Sequence, residues 1–150
     1  MSRKIPIVFI FLILIILVLG NCNKVCNNDF SKEKAKVINV LEKQAKSWNE
    51  GNLEKFMNGY EKNDSTQFIT QKGRVWGWNN IFKKYKKHYT DKKKMGKLNF
   101  SEIDVRFLNK NIAQAYGKWQ VQTDTAFGSV FSVFLRKNKN NWLIFIDHTW

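Results

Sequence analysis

The sequence predicts an α+β domain in which three helices cover an antiparallel sheet built mostly from the second half of the chain. Three observations carry that expectation. Apolar residues between positions 37 and 89 recur at helical spacing in three separate segments. From Ile103 onward the period changes to two, as in strands. The chain then closes on Asn141–Trp150, N-W-L-I-F-I-D-H-T-W, an apolar strand ending in Asp147, His148 and Thr149.

Ahead of the domain, Arg3 and Lys4 precede Ile5–Leu19, an apolar run that only Pro6 interrupts. This matches the charged and apolar regions of an export signal, and it is shorter than the roughly 20 residues a helix needs to span a bilayer. The run ends in Leu19-Gly20-Asn21-Cys22. That tetrapeptide resembles the bacterial lipobox, which implies removal of the leader and a lipidated Cys22, although Asn21 stands where a small residue is usual. A disulfide between Cys22 and Cys26 is the structural alternative. The expected organisation is a leader over 1–22, a polar tether over 23–30 and one domain over 31–150, with its location in the cell envelope, membrane-anchored or secreted.

The first helix is expected from Ser31, a candidate N-cap, with Val37, Ile38, Val40, Leu41, Ala45 and Trp48 on one side and Gly51 as its stop. Asn52 can cap a second, shorter helix carrying Leu53, Phe56, Met57 and Tyr60. Ser65–Thr70 and Gly73–Trp78 form a small hairpin. A third helix places Ile81, Phe82, Tyr85 and Tyr89 opposite Lys83, Lys84, Lys86 and Lys87, and a lysine-rich loop follows over Thr90–Lys97. Ile103, Val105 and Phe107 alternate with Glu102, Asp104 and Arg106. A turn at Asn109-Lys110-Asn111 leads to Ile112–Thr123, with Ala113, Ala115, Gly117, Trp119 and Val121 on one face. Phe127–Lys137 and Trp142–Trp150 are apolar on both faces. Helices can cover one face, so a homodimer is expected to cover the other.

This order, together with A-K-S-W-N-E-G-N-L-E-K-F-M at Ala45–Met57, G-R-V-W-G at Gly73–Gly77, Y-G-K-W at Tyr116–Trp119 and the terminal D-H-T, resembles the SnoaL-like branch of the nuclear transport factor two-like superfamily. The resemblance implies a cone, with a curved antiparallel sheet wrapped around three N-terminal helices to leave a pocket, as in a cystatin-like roll. It also implies a broad choice of function, because the superfamily holds isomerases, dehydratases, cyclases and hydrolases beside transport factors and association domains.

Catalysis in such a pocket needs an acid or a histidine tuned by apolar walls. Of the 12 acidic residues, Asp147 alone is embedded in an apolar run, so it is a candidate base or ligand acceptor. His148 is the second candidate. Strict alternation separates the two, and grouping His148 with Trp142, Ile144 and Ile146 favours His148 as the pocket residue unless a bulge intervenes. Trp48, Tyr60, Trp76, Tyr85, Tyr89 and Trp119 are candidate lining residues, with ordinary core as the alternative. Ketosteroid isomerase chemistry asks for a second protonated acid, and the sequence offers none.

The chain is strongly basic, with 26 Lys and Arg against 12 acids. Eight lysines lie between Lys83 and Lys97, which reads as a solvated helix face with attraction to an anionic membrane surface as the secondary reading. An exported protein rarely meets nucleic acid, so no nucleic-acid partner is expected. No metal cluster or cofactor-binding motif is visible. The expected function is binding of a small, largely apolar ligand. The alternatives are acid/base catalysis through His148 or Asp147, and a dimeric interaction module.

Overall fold

The computed structural model describes residues 30–150. The leader, Cys22 and most of the expected tether lie outside the described residues. The chain divides into units 1–35, of which 30–35 are described as helical, and Lys36–Trp150, which carries the rest of the fold.

Helix α1 covers 30–49. It already contains Phe30 and Ser31, so Ser31 is not its N-cap. Val37, Leu41, Gln44 and Trp48 form its buried stripe, spaced by three and four residues as a one-sided helix requires. Gly51 ends the helix with φ +75°, a conformation that glycine adopts without the steric cost a side chain would add. Asn52 then caps α2 (Leu53–Met57), its side chain accepting a hydrogen bond from the Lys55 amide at 2.9 Å. Leu53, Phe56 and Met57 are buried.

Strands β1 (Gln67–Thr70) and β2 (Gly73–Trp76) make the expected hairpin, somewhat shorter than its apolar stretches suggest. Helix α3 (Trp78–His88) follows, and within the lysine-rich stretch Asp91 caps a one-turn helix, α4 (Lys92–Met95), where a loop was expected. Strands β3 (Lys97–Asn109), β4 (Ile112–Gln122), β5 (Ala126–Asn138) and β6 (Asn141–Thr149) complete the chain as a long antiparallel meander.

All six strands join one sheet in the order β2-β1-β6-β5-β4-β3. The sheet is mixed, because β1 docks parallel on β6. A hairpin distant in sequence thus extends the meander at its C-terminal strand. One face of β4 and β5 supplies Ala113, Ala115, Val121, Phe131, Val133 and Leu135 to the core, against the α1 and α2 residues. Glu102 has φ 52° within a register shift of β3 between Ser101 and Asp104, so the extra residue there bends the strand. The expected α+β cone, helices over a bent sheet, is therefore present.

A second register shift decides the site. Phe134 of β5 pairs with Ile146 of β6, but Leu135 pairs with Ile144, so Phe145 is an extra residue on β6. Trp142 and Ile144 are buried, and after the bulge the next buried residue is Asp147. One inserted residue inverts the parity of everything after it.

Candidate functional site

A cavity of about 410 Å³ opens between the helices and the inner face of the sheet. That lies within the range of about 300 to 1,000 Å³ usual for small-molecule sites. Its walls are aromatic and aliphatic. Trp48, Phe56, Phe68, Tyr85, Phe100 and Phe131 are among them. Edge-on and tilted contacts link these rings, with Trp48 and Tyr89 at 4.6 Å, Phe56 and Tyr85 at 5.3 Å, and Phe68 and Tyr85 at 5.5 Å between centroids. Such contacts hold each ring in place as well as burying it.

Among the described residues Asp147 is the one acid lining the cavity, and it is 6% exposed. Its Oδ2 accepts a 2.5 Å hydrogen bond from the Tyr60 hydroxyl, and its Oδ1 accepts a 3.0 Å bond from the Thr149 hydroxyl. Thr149 is two residues along the same strand, so it shares the face that the bulge turns inward. The segment after α2 delivers Tyr60. The Ile144 amide donates to the Gly59 carbonyl at 2.9 Å and the Glu61 amide donates to the Ile144 carbonyl at 2.7 Å, which lays Tyr60 alongside β6. Gly59 lets the same segment pack closely on α1, since a Cβ there would fall 2.7 Å from the Gln44 side chain. The Tyr85 hydroxyl stands 3.5 Å from that of Tyr60, at the outer limit of a hydrogen bond. Tyr85 therefore keeps most of its hydrogen-bonding capacity for another partner.

Burial pushes the Asp147 carboxyl above the ordinary aspartate value, against the opposite pull of its bonds to Tyr60 and Thr149 and of neighbouring His148. Burial also raises Tyr60 and Tyr85 well above the ordinary tyrosine value, and the Asp147 charge adds to both. Burial raises Tyr89 as well. The tyrosines thus stay protonated and available as donors, while Asp147 takes up a proton more readily than an exposed aspartate. A carboxylate oxygen has room for two acceptor bonds, so each Asp147 oxygen keeps capacity after its bond within the protein.

Trp48, Tyr60, Tyr85, Tyr89, Trp119 and Asp147 line the cavity. His148 does not: it lies on the other face, its ring tilted against that of Trp150 with centroids 3.9 Å apart. The bulge at Phe145 is the reason, because strict alternation from Trp142 and Ile144 would have turned His148 inward and Asp147 outward. Trp76 is also outside, 48% exposed under the Arg74 guanidinium. On its strand Val75 pairs with Phe68, a cavity residue, so Trp76 beside it faces the opposite way.

Sequence reasoning missed several lining residues. Gln44 is 3% exposed, donates from Nε2 to the Phe56 carbonyl at 3.3 Å, and sits in the 37, 41, 44, 48 series. A polar residue within an apolar helical series was the available signal. Phe68, Lys72, Lys84 and Thr149 also line the cavity. Among the described residues the buried indole N–H of Trp119 has no hydrogen-bond partner, which leaves a donor unused in a residue of the cavity wall. Trp48, by contrast, donates its indole N–H to the Met95 carbonyl at 2.7 Å. Among the described residues, no group of three or more His, Cys, Asp or Glu is placed to hold a metal ion.

No protein-family model matches the chain, and no curated protein matches it in sequence. Solved structures do. The chain is similar to an NTF-2 like protein of unknown function from Shewanella oneidensis MR-1, at 29% identity over 77% of this chain and 96% of that one, with a TM-score of 0.74. It is similar to an NTF2-like protein of unknown function from Pseudomonas putida KT2440 at 11% identity, over 79% and 85% of the two chains, with a TM-score of 0.66. It is also similar to the hexachlorocyclohexane dehydrochlorinase LinA-type3 of Novosphingobium barchaimii LL02, at 7% identity over 83% and 89%, with a TM-score of 0.69. The last two similarities speak to fold alone.

Proposed function

From the premise that the chain is a member of the nuclear transport factor two-like superfamily, we propose that it binds a small, largely apolar molecule in the cone. One observation carries this reading. An aromatic cavity has a hydrogen-bonding cluster, Tyr85, Tyr60 and Asp147, set into its wall. Apolar walls supply affinity by removing hydrophobic surface from water, and the cluster orients an oxygen-bearing group of the ligand. A core packed solid would instead have favoured a pure interaction module.

The test is a screen of hydroxyl- and carbonyl-bearing ring compounds followed by tryptophan fluorescence, since Trp48 and Trp119 both line the cavity. Saturable quenching is expected in the wild type, with loss in Val133→Trp, where a large ring fills the space. Quenching that survives the filled cavity overturns the reading.

A second reading rests on Asp147 itself. A buried carboxyl raised above its ordinary value beside a tyrosine donor is suited to proton transfer, with Asp147 as acid or base and Tyr60 or Tyr85 steadying developing negative charge. The similarity in fold to a dehydrochlorinase makes elimination and isomerisation the reactions to try first. In that case Asp147→Asn abolishes turnover while binding is nearly kept.

The setting belongs to the same proposal. Arg3, Lys4 and the run Ile5–Leu19 ending at Cys22 support an exported lipoprotein of the cell envelope. Metabolic fatty-acid labelling lost in Cys22→Ser is the expected result. No described helix is long and apolar enough to cross a membrane. On the outer face of the sheet, half-buried Phe134, Phe145 and Ile146 with exposed Tyr116 support a homodimer. Light scattering at micromolar concentration is expected to give twice the chain mass. The lysines of Lys83–Lys97 remain proposed as a contact with an anionic membrane surface.

A further inference from the structure

We infer that the ligand is an amphipathic anion, its apolar tail inside the cone and its negative head group at the mouth beside Lys72, Lys84 and the indole N–H of Trp119. This rests on the reading of the cavity as a ligand site and names the class of molecule it takes.

The register fixes which end is the mouth. Ile69 pairs with His148, so the chain leaves β1 and enters the turn that carries Lys72 level with Thr149 and Trp150. On the other side, Thr149 pairs with Phe131, and Phe131 pairs with Gly117. Trp119 is two residues farther out along β4, and Asp147 is two residues farther in along β6. Lys84 and His88 bring the C-terminal half of α3 to the same end. The polar groups of the lining thus divide in two. Asp147 and Tyr60 are deep and bonded to each other. Lys72, Lys84 and Trp119 lie at the outer end and carry only donors.

Charge follows the same division. Among the described residues no acid lines the mouth, since Asp147 is the only acidic one in the lining. Among the described residues neither Lys72 nor Lys84 takes part in an ion pair. Lys84 is half-buried with its ammonium 5.5 Å from the centre of the Phe68 ring, so the charge is held over an apolar cavity wall. His88 donates from Nδ1 to the Lys84 carbonyl at 2.8 Å, which fixes its ring at the rim. The C-terminal end of α3 carries a partial negative charge of about half a unit, less than the two whole lysine charges beside it. Trp119 adds independent support, because its buried N–H has no partner within the protein and needs an acceptor. Apolar rings below and unpaired donors above describe an amphiphile whose head group accepts hydrogen bonds and bears negative charge.

The test is calorimetric titration of the folded domain with four ten-carbon probes below their micelle concentrations: decanoate, decyl phosphate, decanol and decyltrimethylammonium. The expected result is that one or both anions bind about tenfold or more tighter than the alcohol and the cation, with the preference shrinking as salt rises. The tighter anion identifies the head group. Lys72→Gln combined with Lys84→Gln is expected to weaken the anion by about five- to tenfold and leave decanol unchanged. Lys72 is exposed and Lys84 half-buried, and an unaltered near-ultraviolet circular dichroism spectrum verifies the fold. Decanol binding as tightly as the anions, or anion affinity unmoved in the double variant, overturns this inference and leaves the cavity reading standing. If none of the four probes binds the wild type, this inference is overturned, and the ring-compound screen with Val133→Trp decides the cavity reading.

Discussion

The two faces of the sheet are built from adjacent residues and carry opposite chemistry, most sharply at Asp147 and His148. On the inner face Asp147 is buried, with each carboxylate oxygen accepting a bond from a hydroxyl. On the outer face His148 is half-buried and rests on the Trp150 ring. A single inserted residue, Phe145, chooses between them. The lesson is that in a strand apolar on both sides, backbone register rather than residue type decides which polar group enters the cavity.

The contrast between faces is expected to be largest in packing. Leu135 is fully buried on the inner face, so Leu135→Ala should cost about 2 to 5 kcal/mol through lost burial and the space left behind. Phe134→Ala, on the half-buried outer face beside Phe145, removes a larger side chain yet should cost less. Urea melts of the two variants check this. A greater loss at Phe134 would mean that the outer face is the better packed one.

Next in size is the polar pair. Asp147→Leu strands the hydroxyls of Tyr60 and Thr149 and should cost about 1 to 3 kcal/mol, the range for leaving buried groups unsatisfied. His148→Ala should stay within about 0.5 kcal/mol, as for a surface change that breaks no network. Equal losses in the same melts would erase the distinction between the two faces.

A smaller effect sharpens the same contrast through pH. Burial raises Asp147 in the folded state, so on raising pH the unfolded chain releases this proton first, near the ordinary aspartate value of about 3.9. The folded state then holds more protons, and the stability contributed at this site falls as pH climbs from there to the raised folded value. Asp147→Asn cannot ionise and lacks that fall. The stability of the variant relative to wild type should therefore increase with pH across the window, and a flat or opposite trend contradicts the placement of the carboxyl.

The legible and illegible parts of the fold separate along the same physical line. The stripe of Val37, Leu41 and Trp48, the cap at Asn52, the stop at Gly51 and the alternation through β3 and β4 are local patterns, and each was readable. The parallel docking of β1 on β6 joins Phe68 to Asp147 across 79 positions of sequence, and no local spacing encodes it. Nor was the bulge readable, since N-W-L-I-F-I offers apolar residues at both parities and so carries no mark of a slip. Trp76 was misplaced for a related reason: an aromatic residue in a short edge hairpin has no helical or strand partner in sequence to say which side is covered. Asp147, embedded in its apolar run, was visible as a candidate, and its partner Tyr60 was visible only as one of several aromatics.

The central claim is that Asp147 sits in the cavity wall against Tyr60, with His148 outside. The most direct measurement is a ¹³C nuclear magnetic resonance titration of the Asp147 carboxyl in wild type, Tyr60→Phe and His148→Ala. The account predicts titration above about 3.9 in the wild type, because burial disfavours the charge. It predicts a further upward move in Tyr60→Phe, where the hydroxyl that favours the ionised form is gone, and a smaller move in His148→Ala. Titration at or below the ordinary aspartate value, unmoved by the loss of the Tyr60 hydroxyl, would contradict it.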